Sequence, residues 1–239
     1  MADQKPFPFE RLPAELRVQI YEYHLIRDIP VHIITRSPHN RPKMVAVTYP
    51  EERYNAPGPR ATYLGKHGAA LLRTNRNTYN ETVALLYAHN TFVFHEPGLI
   101  KDFSKTAKSG VPLICKVTFQ MDAYKESQES VHVHPTPHLE HFTSLQTFHW
   151  TLRGLIASHT YPARKARNLL LPTQAFVAFG KTSTARRAQF DRIQFVTRTR
   201  LDQQGRGKVG YGTAEDVMQA IKNELEKLLI KRNVLEALA

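Results

Sequence analysis

The sequence predicts an α/β fold in one domain, with α+β as the neighbouring class. Short β-type runs near residues 115, 148 and 194 are separated by segments with room for a helix or loop, the layout of a small mixed or partly parallel sheet. Two stretches, 14–25 and 68–87, repeat apolar residues at helical spacing. A proline-rich insertion between them reads as a β-hairpin. With 239 residues, 41% of them apolar, the chain can bury a core without disulfides or metal.

Leu12-Pro13 opens the first helix. Proline fits the first turn, where its missing N–H would have no partner anyway. Leu16, Ile20 and Tyr23 or His24 then form one stripe, with Arg17, Gln19 and Glu22 off it. Phe7, Phe9 and Leu12 precede the helix and can fold back on its first turn as a staple does. Pro30, Pro38, Pro42, Pro50, Pro57 and Pro59 exclude a long helix across 29–66. Inside that insertion 31–35 and 44–49 read as strands joined by the turn SPHNRP, and 51–60 as a loop.

Residues 68–87 form the next helix, with Leu71, Leu72, Tyr79, Val83, Leu86 and Tyr87 on its buried face. Asn90 ends it, and 91–94 is a short strand. A helix over 97–108 turns Leu99, Ile100 and Phe103 inward. The apolar run 113–121 is a buried strand, and Cys115 reads as a core residue within it. After a turn at 139–144, 145–152 is a strand carrying Phe148 and Trp150. Residues 173–179 fit a short strand or a helix. Residues 190–199 alternate as a strand. GRGKVGYG, 205–212, is a flexible linker. Thr213 then caps a C-terminal amphipathic helix with a stripe of Val217, Ile221, Leu225, Leu228 and Leu229.

A single cysteine cannot form an internal disulfide, so the chain reads as cytoplasmic or nuclear. MADQKPFPF lacks the basic and apolar regions of a signal peptide, and no apolar run is long enough to span a membrane.

The net charge of +12 is unevenly placed. Residues 161–200 hold nine basic groups (Arg164, Lys165, Arg167, Lys181, Arg186, Arg187, Arg192, Arg198 and Arg200) against one acid, Asp191. Such a field attracts phosphates or acidic protein surfaces. With Tyr161, Phe190 and Phe195 nearby, it has the ingredients of a single-strand nucleic-acid groove, although the same aromatics fit a core strand. HVHPTPHLEH gathers His132, His134, His138 and His141, but its spacing matches no standard zinc module, so surface histidines and no metal are expected. Asp122, Glu126 and Glu129 read as a solvated helical face. No nucleophile elbow, P-loop or dinucleotide fingerprint is present, so neither a catalytic residue nor a cofactor is expected.

FERLPAELRVQIYEYHL resembles the first helix of an F-box at Leu12, Pro13, Glu15, Leu16, Ile20 and Leu25. LLRTNRNTYNETVALLYAHNTFVF adds matches at Leu71, Leu72, Arg73, Thr74, Arg76, Glu81, Leu85, Leu86, Tyr87, Asn90, Thr91 and Phe92. The pair, covering about a sixth of the chain, resembles a large group of fungal F-box-like proteins; Asn75 departs from it where cysteine is common. On this resemblance 7–27 is the F-box-like motif, 29–66 a hairpin insertion, 68–94 the helix-strand signature and 97–239 the remainder of a single domain. It implies a non-enzymatic protein-interaction module, a substrate receptor that binds the Skp adaptor of a cullin-based ubiquitin ligase. Leu12, Pro13, Leu16 and Ile20 would face the adaptor, in helix-in-groove fashion. The hairpin insertion, which an F-box lacks, leaves a second placement open: Leu16 and Ile20 packed on the following helix. Nucleic-acid binding through 161–200 is the alternative function. The oligomeric state is not legible.

Overall fold

The computed structural model of the chain describes residues 9–36, 43–48, 62–63, 70–95, 99–122, 139–153, 162–198 and 214–235. Among them are helices α1 (Ala14–Leu25), α2 (Arg76–His89), α3 (Leu99–Ala107), α4 (Pro162–Val177), α5 (Ser183–Asp191) and α6 (Ala214–Lys231). The strands are β1 (Val31–Arg36), β2 (Lys43–Thr48), β3 (Thr62–Tyr63), β4 (Thr91–Phe94), β5 (Lys116–Asp122), β6 (Thr147–Arg153) and β7 (Gln194–Arg198). The fold is α/β, built on one sheet of order β3-β2-β1-β4-β5-β6-β7.

β1 and β2 form the expected antiparallel hairpin, and β3 adds a short antiparallel edge. From β1 through β4, β5 and β6 to β7 every pairing is parallel and the spatial order follows the chain. Crossovers between parallel strands are right-handed, so an order that never reverses sends the connecting helices to the same face. The side chains agree. Register aligns Ile33, Phe94, Phe119, Trp150 and Phe195 in one row across the five parallel strands. Val31, Phe92, Val117 and Phe148 make a second row on that face. Tyr87 of α2, Phe103 of α3 and Phe176 of α4 all meet these rings, with centroids 5.7 Å (Tyr87–Phe92), 5.3 Å (Phe94–Phe103) and 4.9 Å (Phe148–Phe176) apart. The opposite face carries Thr118, Gln120, His149, Thr151 and Gln194. The polar side chains of that face, of which Gln120 and Thr151 are themselves buried, make the strands alternate in character instead of running continuously apolar. Ligand crevices of open parallel sheets form where strand order reverses, and these five strands contain no reversal.

Several elements differ from expectation for local reasons. Of the helix expected over 68–87, Leu71–Arg73 is a 3-10 turn and α2 starts at Arg76. Asn75 sets that start: its Oδ1 accepts from Thr78 N at 2.8 Å, an N-cap that satisfies an otherwise orphaned donor. Residues 173–179 take the helical of their two expected forms, the end of α4 and its closing turn. The strand expected over 190–199 is the end of α5 followed by the shorter β7. Thr182 Oγ1 caps α5 by accepting from Ala185 N at 3.1 Å. Ile193 N donates back to Phe190 O at 3.0 Å, so these two apolar residues close a helix rather than alternate along a strand. Cys115 is half-buried just ahead of β5, its thiol directed at Leu113 O. Asp122 ends β5 and is not on a helix. The linker 205–212 and the capping residue Thr213 lie outside the described residues.

Candidate functional site

Helix α1 is apolar on two opposite sides. At about 100° per residue, Tyr21 and Leu25 point one way and are 1% and 0% exposed. Pro13, Leu16, Ile20 and Tyr23 point the other way. Leu16 is 45%, Ile20 36% and Tyr23 80% exposed, and Val18 at the margin is 36% exposed. Leu12 is half-buried and Pro13 exposed. The alternative placement, in which Leu16 and Ile20 pack on the following helix, is therefore not the one the chain adopts. Tyr21, one position further on, takes that role.

The remaining residues of the two motifs explain how α1 is held. Arg17 forks onto Glu81 of α2, Nη2 to Oε1 at 2.7 Å and Nε to Oε2 at 3.3 Å. Its Nη1 also donates to Leu12 O at 2.8 Å, satisfying a carbonyl just before the helix. The paired guanidinium holds the Glu81 carboxyl below the usual carboxylate range. Burial pushes the Tyr21 phenol up, and its ring lies 5.6 Å from Phe9. Asn75, besides capping α2, donates to Glu10 Oε1 at 3.0 Å. Asn90 closes the far end. Fully buried, its Nδ2 donates to Leu25 O at 2.9 Å and Leu86 O at 2.8 Å, and its Oδ1 accepts from Arg27 N at 2.9 Å. Arg17, Tyr21, Leu25, Glu81, Leu86 and Asn90 thus fasten α1 to α2. Leu16 and Ile20 take no part in this fastening and lie on the free side of the helix.

Among the described residues of the basic segment 161–200, Arg186 and Arg187 turn to partners within the fold. Arg186 Nη1 donates to Val234 O at 3.1 Å, tying α5 to the end of the chain. Arg187 pairs with Glu226 of α6 and with Asp191 at 3.3 Å, contacts that hold its guanidinium above the usual range. Its charge is largely answered inside the fold. Phe190 is fully buried. Arg167 and Arg192 are exposed, and Arg192 reaches Gln189 Oε1 at 3.3 Å. The side chains of Arg164, Lys165 and Arg198, and the whole of Arg200, lie outside what is described, as do His132, His134 and His138. His141 is exposed. Among the described residues no group of three His, Cys, Asp or Glu is placed to hold a metal ion, and no helix is long and apolar enough to cross a membrane.

The described residues therefore define an α/β fold whose first helix presents exposed apolar side chains. Residues 1–108 are similar to a family described as Domain of unknown function (DUF7730). That span takes in both motifs, the hairpin, α2, β4 and α3, the half of the molecule that fastens and displays α1. No curated protein and no solved structure matches the chain.

Proposed function

We propose that the protein acts by binding rather than by chemistry: α1 docks its outer stripe into an apolar groove of a partner, and the rest of the domain presents a cargo. The observation that carries this reading is the exposure of Leu16, Ile20 and Tyr23 on a helix whose other side is already pinned. Contiguous exposed apolar side chains three and four positions apart are the anchors of helix-in-groove recognition. The resemblance of Leu12, Pro13, Leu16 and Ile20 to the F-box start makes the Skp adaptor of a cullin-based ubiquitin ligase the partner to try first, with the protein as substrate receptor.

The test is co-purification of the full chain with the adaptor. Wild type is expected to retain it, and Leu16→Asp combined with Ile20→Asp to lose it while remaining folded. A wild-type chain that fails to retain the adaptor at micromolar concentration removes the ligase reading.

A further inference from the structure

A second feature lies away from α1, where α3 and the 3-10 turn that follows it face the segment around residue 141. A cavity of about 510 Å³ opens there, lined on one wall by Lys101, Ser104, Lys105 and Lys108 and floored by Val111 and Pro112. Ligand sites typically fall between about 300 and 1,000 Å³.

Lys101 and Lys105 lie one turn apart on α3 and repel one another, and Lys108 opens the 3-10 turn that follows and lines the same cavity. Asp102 approaches Lys105 at 3.8 Å, but both are exposed and the pair is weak. The negative end of the α3 dipole suits Lys105 and Lys108 but not Lys101, which sits in the first turn where a cation is disfavoured. Helix electrostatics alone thus do not account for the triad.

Ser104 supplies an independent sign. Its Oγ is buried on the same wall and has no hydrogen-bond partner. A helical hydroxyl ordinarily bonds back one turn, as Thr106 does to Asp102 O at 2.9 Å. Buried polar atoms left unpaired are rare, and each one calls for a reason. Val111, 1% exposed, gives the cavity an apolar base.

We propose that this cavity binds a small phosphate monoester. The lysines neutralise the phosphoryl oxygens, Ser104 Oγ donates to one of them, and Val111 with Pro112 receives the organic part. The arrangement needs no help from α1 and goes beyond the docking function.

Isothermal titration of the full chain tests it with three probes: phenyl phosphate, inorganic phosphate and neutral benzyl alcohol. Phenyl phosphate is expected to bind more tightly than inorganic phosphate, and benzyl alcohol not to bind. Lys101→Glu with Lys105→Glu should weaken phenyl phosphate by about tenfold or more, because a charge-assisted pair becomes repulsive. Both positions are exposed, so this variant keeps the fold. Ser104→Ala should weaken it about threefold without lowering stability, since the hydroxyl has no partner to lose. Lys227→Glu, at an exposed position of α6, serves as the control and should not change phenyl phosphate affinity. Absence of saturable phenyl phosphate binding at millimolar concentration overturns the site. So does unchanged affinity in the double variant, or an equal loss in the control. Inorganic phosphate binding as tightly as phenyl phosphate overturns the monoester assignment.

Discussion

Replacing Asn90 by alanine should be among the most damaging single changes outside the aromatic core. Asn90 is fully buried and serves three backbone groups at once: the carbonyls of Leu25 and Leu86 and the amide of Arg27. Alanine abandons all three. Each buried polar group left unpaired costs about 1–3 kcal/mol. Partial rehydration at the end of α1 softens the sum, so the expected loss is about 3–5 kcal/mol. Against a typical stability of about 5–15 kcal/mol, that is a substantial fraction. Urea unfolding followed by the fluorescence of Trp150, the one tryptophan of the chain and fully buried, measures the loss directly. Native-state hydrogen exchange localises it: the Arg27 amide should lose protection before the amides of β5 and β6. A loss below about 1 kcal/mol with Arg27 still protected would refute the claim that Asn90 is the clasp between α1 and α2.

Two other outcomes are expected. Gly110→Ala places a methyl group inside the Tyr87 ring, so the ring or the turn must move, at a cost of about 1–3 kcal/mol of stability measured by urea unfolding. Gly110→Ala with full wild-type stability would show that the turn gives way freely. Burial pushes the Tyr87 phenol up to about 12. The folded state therefore holds this proton where the unfolded chain releases it, so its stabilising contribution is complete below the ordinary tyrosine range and fades as the pH rises toward that value. In an ultraviolet titration of the ten tyrosines, Tyr87→Phe should remove a late-ionising component. A variant that removes an early component instead would contradict the burial argument.

The hairpin, the parallel strands near 115, 148 and 194, and the first helix were legible because alternation and helical spacing are local. The boundaries that failed were decided by side chains acting on backbone. Asn75 sits within an apolar-periodic run, yet its cap delays α2 to Arg76. α4 carries Pro172 in its interior and basic residues along its first turns, so neither propensity nor pattern marks sixteen residues of helix there. Phe190 and Ile193 look like strand alternation, but they close α5.

The candidate site was half legible. The spacing of Leu16 and Ile20 identified a stripe without telling which way it faces, because Tyr21 and Leu25 offer a second stripe on the same helix. The signal that settles the orientation is a long-range pair, Arg17 with Glu81, sixty-four positions apart. The basic residues of 161–200 were conspicuous in sequence, while the partners that occupy two of them, Glu226 and the Val234 carbonyl, lie in a distant helix and at the chain's end.

The docking claim rests on a difference between the two sides of α1, and one paired measurement exposes it. Leu16→Asp with Ile20→Asp and, separately, Leu25→Ala are compared with wild type for urea midpoint and for adaptor capture. Exposed substitutions away from structural features shift stability by about 0.5 kcal/mol or less, whereas truncating a fully buried leucine costs about 2–5 kcal/mol. The account predicts that the double variant keeps its midpoint and loses the adaptor, while Leu25→Ala loses stability. A double variant that unfolds with Leu25→Ala, or that stays folded and captures the adaptor as wild type does, would contradict it.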